Sequence, residues 1–151
     1  MLVSLHVKNL ALIDETEVYF KEGLNILTGE TGAGKSIIID AVNLALGERA
    51  SKELIKSGAE KACVEAEFDI SHLPAVRQLM QEDELDPEDG LIISREIAAS
   101  GKNVCPLNGT LVNLAILNKI TDLLVDVHGQ HEHQSLLSQN KHIYFLDSFC
   151  H

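Results

Sequence analysis

The run Leu24-Asn25-Ile26-Leu27-Thr28-Gly29-Glu30-Thr31-Gly32-Ala33-Gly34-Lys35-Ser36-Ile37-Ile38-Ile39 decides how the chain folds. Residues 29–36 fit G-x-x-x-x-G-K-[ST] at every position. The glycines let backbone N–H groups wrap a phosphate without Cβ clashes. A helix that starts immediately afterwards adds its unpaired N–H groups and the positive end of its dipole. Gly29, Glu30, Thr31, Gly32, Ala33, Gly34, Lys35 and Ser36 are therefore the candidate nucleotide-binding residues. Lys35 is expected to reach the β- and γ-phosphates, and the Ser36 hydroxyl to ligate Mg²⁺. The motif specifies a nucleoside triphosphate without choosing ATP over GTP.

The flanks support the same reading. Leu24 to Leu27 is expected as a short buried strand. Ser36 to Leu46 reads as a helix, apolar along Ile37, Ile38, Ala41, Val42, Leu44 and Ala45, with Gly47 as its stop. Upstream, Leu2 to Val7 alternates apolar and polar residues, and Asp14 to Phe20 reads as a second strand before a turn at Lys21-Glu22-Gly23. Downstream, Ala62 to Ile70 alternates again. Ser71 is expected to cap a helix from His72 to about Glu84, with Pro74 in its first turn. The acidic stretch Gln81 to Gly90 reads as a solvated helix end and loop. Leu91 to Ile97 and Val104 to Leu107 form an expected strand pair around Ala99-Ser100-Gly101-Lys102, followed by an Asn108-Gly109 turn. An amphipathic helix is predicted over Leu111 to Ile120, a buried strand over Leu123 to Val127, and the start of another helix over His142 to Phe149.

Composition narrows the class. The chain has 151 residues, 45% of them hydrophobic, which suits one domain with its own core. Its net charge of −11 argues against a dedicated DNA-binding module. Screening over about 8 Å leaves room for a local basic patch. Three widely spaced cysteines without a CxxC point to a reduced, cytoplasmic setting. No apolar run approaches the roughly 18–20 residues that cross a bilayer, so no membrane partner is expected.

A second stretch, Asp126-Val127-His128-Gly129-Gln130-His131-Glu132-His133-Gln134, admits three readings. His128, His131 and His133 have a spacing that could converge on a metal, and such a site would make the chain a metal-binding interaction module. Asp126 to Gln130 also spells the D-x-x-G-Q of a GTPase, whose Asp serves Mg²⁺ and whose Gln orients water. Asn118-Lys119-Ile120-Thr121 imitates a guanine-reading motif. It has Thr where the carboxylate should be, and it precedes D-x-x-G where it should follow. The third reading makes Gln130 a glutamine-loop residue. Its amide offers an acceptor to Mg²⁺ and donors to the attacking water.

The combination is more specific than its parts. VKNLALIDETEVYFKEGLNILTGETGAGKSIIIDAVNLALGERAS, LNGTLVNL and LLVDVHGQHEHQSLL together resemble the bacterial RecN family of DNA-repair ATPases, relatives of the SMC proteins. The resemblance runs from Met1 to Leu146. It implies an α/β fold: the N-terminal half of an ABC/SMC-type P-loop ATPase head, with an antiparallel β subdomain, ending where a coiled coil begins. It implies ATP and Mg²⁺ as ligands, with Lys35 and Gln130 catalytic and Ser36 and Gln130 serving the metal. By the same resemblance Arg49 lies where such heads carry a basic loop near the γ-phosphate, and Asn9 where the first strand turns near the nucleotide.

The implied partners are the C-terminal half of the same head and a second head in a homodimer. DNA and recombination proteins are reached through the full-length protein, in a nucleoid-associated, cytoplasmic location. The family's usual arginine-rich stretch before Asn108-Gly109 is replaced by Lys102-Asn103-Val104-Cys105-Pro106-Leu107, and Pro106 removes a strand N–H. Neither an ABC signature nor a Walker B sequence occurs in the 151 residues, so the segment alone is expected to turn over no nucleotide. Apolar faces without their cover are expected to drive self-association. A self-contained P-loop GTPase or kinase-like enzyme is the alternative class.

Overall fold

The structure, a computed structural model, describes residues 1–29, 34–86 and 90–125. The described residues hold six strands: β1 (Leu2–Leu10), β2 (Ile13–Tyr19), β3 (Lys61–Asp69), β4 (Gly90–Ala98), β5 (Asn103–Leu107) and β6 (Thr110–Val112). Three helices accompany them, α1 (Lys35–Ala45), α2 (Pro74–Glu82) and α3 (Leu114–Leu124), with a 3-10 turn at Lys52–Leu54. The strands form one antiparallel sheet in the order β2-β1-β3-β4-β5-β6.

Period-two patterning explains the sheet. In β3, Ala62, Val64, Ala66 and Phe68 are buried, while Lys61, Glu65, Glu67 and Asp69 are exposed. Register places Val64 opposite Val7 on one side and Arg95 on the other. The same face carries Leu5, Leu91, Ile93, Ile97, Cys105 and Leu107, all buried. The opposite face is wet and acidic. There Ser4 donates to Glu67 at 3.0 Å, Ser94 to Glu65 at 2.8 Å, and Lys61 to Glu96 at 3.1 Å. An antiparallel sheet tolerates this asymmetry because its strands need cover on one face only.

The helices supply that cover. Ala41, Leu44 and Ala45 of α1, Val76 and Met80 of α2, and Leu117 and Ile120 of α3 join the sheet's inner face in one apolar cluster. Burying each large aliphatic side chain contributes about 1.5–3 kcal/mol.

The expected strands 2–7, 14–20, 62–70, 91–97 and 104–107 and the helix after the glycine loop are present within a few residues. Four expectations are corrected. No strand forms over Leu24 to Leu27; Leu24 is 87% and Ile26 73% exposed. An apolar run becomes a strand only beside a ladder partner, and among the described residues β2 pairs with β1 alone. Asn25 instead closes the turn after β2, accepting from Lys21 N at 2.9 Å and donating to Lys21 O at 2.7 Å.

The second correction concerns residues 123–127, expected as a buried strand. Leu123 and Leu124 finish α3, and Leu123 is 49% exposed. Leu117, Ile120, Thr121 and Leu124 keep the i, i+3, i+4, i+7 spacing of a helix face, and that period wins over the short apolar run. Asp126 and Val127 lie outside the described residues. Third, α3 begins at Leu114 rather than Leu111. The Asn108-Gly109 turn first returns the chain as β6, and Asn113 then caps the helix by accepting from Ile116 N at 3.0 Å. Fourth, α2 is capped by Leu73 rather than Ser71 and starts at Pro74. The N–H of Ser71 is taken by Asp69 Oδ1 at 2.9 Å. The helix expected at 142–149 lies outside the described residues.

Candidate nucleotide-binding site

The site is built on the N-terminal end of α1. Gly34 leads into the helix at φ 95°, ψ −7°, a left-handed conformation that disfavours any residue with a Cβ. Its carbonyl accepts the first helical hydrogen bond, from Ile38 N at 3.1 Å. Among the described residues no side chain caps this end, and its first turn holds no acid. The leading N–H groups, which every helix leaves without intrahelical partners, thus meet no competing side-chain anion among the described residues. Lys35 turns back, and its ammonium donates to the carbonyl of Gly29. Ser36, next on the helix, is exposed.

Of the expected site residues, Gly29, Gly34, Lys35 and Ser36 come together here. Glu30, Thr31, Gly32 and Ala33 lie outside the described residues, and so do Gln130 and the three histidines of the possible metal site. Among the described residues, no group of three or more His, Cys, Asp or Glu side chains is placed to hold a metal.

Arg49 and Asn9 belong to a second neighbourhood. Arg49 is exposed and follows the far end of α1. That helix has 11 residues and so spans about 16 Å. The loop after Arg49 docks on the β1–β2 hairpin. Lys56 N donates to Asn9 O at 2.9 Å, Ala11 N to Leu54 O at 2.7 Å, and Leu10 bridges Ile55. Asn9 itself is left-handed at φ 53°. Lys56 also pairs with Asp14 across this junction. Asn9 thereby touches the segment that carries Arg49, while Lys35 and Arg49 sit at opposite ends of α1.

Two features were missed from sequence. One is Arg95, fully buried on the inner face of β4, whose three guanidinium nitrogens have no hydrogen-bond partner among the described residues. Burial pushes its pKa below the ordinary range, and burial pushes the neighbouring Cys105 thiol up. The signal was legible, since Leu91, Ile93, Arg95 and Ile97 share one parity. The other is what meets the C-terminal end of α1, whose stop at Gly47 was itself expected. Gly47 N donates to Leu44 O at 3.2 Å and Glu48 N to Asn43 O at 3.0 Å, a Schellman pair closed by Gly47 at φ 109°. Thr121 of α3 adds a third bond there, from Oγ1 to Leu46 O at 2.9 Å.

Comparison with known proteins agrees with this geometry. A family model described as an AAA domain matches residues 4–151. The chain is 46% identical over 151 residues to the DNA repair protein RecN of Bacillus subtilis, covering 99% of this chain and 26% of that protein. It is 45% identical to the RecN of Halalkalibacterium halodurans, covering 99% and 27%. The chain therefore spans about a quarter of the length of the curated relatives it matches.

Among solved structures, it resembles one from work on "ATP-driven dimerization and DNA stimulated activation of SMC ATPases", with a TM-score of 0.65 and 26% identity, over 81% of this chain and 78% of that one. An SMC head domain from Thermotoga maritima gives a TM-score of 0.62 at 25% identity, over 78% and 41%. The antiparallel sheet with helices on one face is thus the N-terminal part of an α/β P-loop ATPase head, as the sequence resemblance implies. The uncapped helix end, the ammonium at the loop mouth and the exposed Ser36 hydroxyl form a donor set suited to a triphosphate with a divalent cation.

Proposed function

Because the chain belongs to the AAA-domain family, as an N-terminal segment of a RecN/SMC-like ATPase head, we propose that residues 29–36 bind ATP with Mg²⁺ for an ATPase acting in recombinational repair of DNA double-strand breaks. The observation that carries this is the end of α1: left-handed Gly34, no side-chain cap among the described residues, no acid in the first turn, and Lys35 tied to Gly29. Backbone N–H groups cradle the phosphates, Lys35 neutralises charge on the β- and γ-phosphoryl oxygens, and Ser36 ligates Mg²⁺. Gln130 is the residue proposed to contact the metal and orient water. Arg49 and Asn9 are proposed to border the nucleotide from the hairpin side.

Turnover requires groups that the 151 residues do not contain, namely Walker B carboxylates and the signature of a second head. The partners proposed are therefore the C-terminal half of the same head, a second head in a homodimer, and, through the full-length protein, DNA and recombination proteins at the nucleoid. The names of the relatives and the description of the SMC structure support this reading. No helix among the described residues is long and apolar enough to cross a membrane.

The test compares full-length protein with the 151-residue chain. MgATP hydrolysis is expected from the former, lost on Lys35→Ala, and absent from the latter. Robust GTP turnover by the 151-residue chain, abolished by Lys35→Ala, would overturn the proposal in favour of a self-contained GTPase.

A further inference from the structure

Asn118-Lys119-Ile120-Thr121 imitates a base-reading motif only in its letters, and its first and last residues meet the far end of α1. Thr121 is 5% exposed, and its hydroxyl donates to Leu46 O at 2.9 Å, across 75 residues of sequence. Its own helix offers a poorer acceptor, Asn118 O at 3.3 Å. Leu46 is the C-cap of α1, where helix carbonyls lose their intrahelical donors. One residue on, a Cβ built at Gly47 would lie 2.1 Å from Asn118 Oδ1. A side chain there would push the Asn118 amide aside, and Gly47, at φ 109°, already stands where glycine is favoured. The phosphate-binding helix is therefore pinned to α3 at its C-terminal end by one hydrogen bond and one close backbone contact.

We propose that Thr121 is a positioning residue for nucleotide turnover: with Asn118 seated against Gly47, it holds the far end of the P-loop helix so that Lys35 and Ser36 keep their alignment relative to α3. This rests on the ATP-binding reading above. A helix of about 16 Å that tilts by roughly 4° moves one end by about 1 Å. Displacements of that size at reacting groups cost as much as about a hundred-fold in rate. Ground-state binding is less sensitive, because the loop's own N–H groups travel with the phosphate. Loss of the clasp should therefore lower kcat and spare affinity.

The test uses the full-length protein with MgATP. Thr121→Val removes the hydroxyl and keeps the shape. It is expected to bind MgATP within about two-fold of wild type while kcat falls at least about five-fold, and Thr121→Ser is expected to restore kcat. Phe68→Leu, in the core of the sheet, serves as a control for lost stability and is expected to keep kcat. Unchanged kcat in Thr121→Val, no rescue by Ser, or an equal kcat loss in Phe68→Leu would overturn the positioning role while leaving ATP binding intact. A wild-type protein that fails to bind MgATP would overturn the nucleotide reading and this inference with it.

Discussion

The ammonium of Lys35 donates to the carbonyl of Gly29, six residues earlier, so the two ends of the glycine loop are tied together. The two glycines that frame this loop tolerate a side chain differently. A Cβ on Gly29 would meet Lys35 Cγ at 3.8 Å, ordinary van der Waals contact. Gly34 is open in space but stands at φ 95°. Gly29→Ala should leave the unfolding midpoint unchanged. Gly34→Ala should lower stability by about 1–2 kcal/mol through left-handed strain alone. Urea unfolding of the two variants checks this, and equal midpoints would remove the argument from φ.

Arg95 is a charge without a described partner. Desolvating such an ion costs several kcal/mol, and a well-packed apolar side chain of similar length avoids that cost. Arg95→Met is expected to raise the stability of the 151-residue chain by about 1 kcal/mol or more, seen as a rise in Tm of a few degrees. A fall of comparable size would mean that a carboxylate outside the described residues pairs with the guanidinium.

Glu15 supplies a pH test. Hydrogen bonds from Lys8, at 3.2 Å and 3.3 Å, and then from His6, at 3.0 Å, hold its carboxyl below the ordinary 4.5. A carboxyl with a depressed folded pKa adds stability that is full above its unfolded value and fades as pH falls through the folded one. Wild type should therefore exceed Glu15→Gln in urea midpoint near pH 6, and the gap should close towards pH 3. A gap that widens on acidification would contradict the assigned sign. The site is exposed, so the effect is small and should shrink with added salt.

Leu24, Ile26 and Leu27 form an apolar run without a ladder partner among the described residues, 87%, 73% and 44% exposed. Such runs associate. The 151-residue chain is expected to self-associate with rising concentration in light scattering, and Leu24→Gln with Ile26→Gln to remain monomeric. A wild-type chain that stays monomeric at high concentration would show that this run is not sticky.

Thr121 and Leu46 mark how far the sequence could be read. The residue order alone determined the glycine at the head of α1, that helix, the alternation of β3 and the Asn108-Gly109 turn. Each depends on backbone freedom or side-chain period within a few residues. The inward parity of Arg95 was also there to be read. Residues 24–27 and 123–124 were misread because a short apolar run is neutral between strand, helix and coil until a neighbour pairs with it or a longer period claims it. Only the tertiary structure decided that Asn118 and Thr121 meet the C-terminal end of α1, and that Asn9 joins the segment after Arg49. Those contacts join residues tens of positions apart, and which surfaces meet is settled by the packing of whole elements rather than by any local pattern of letters.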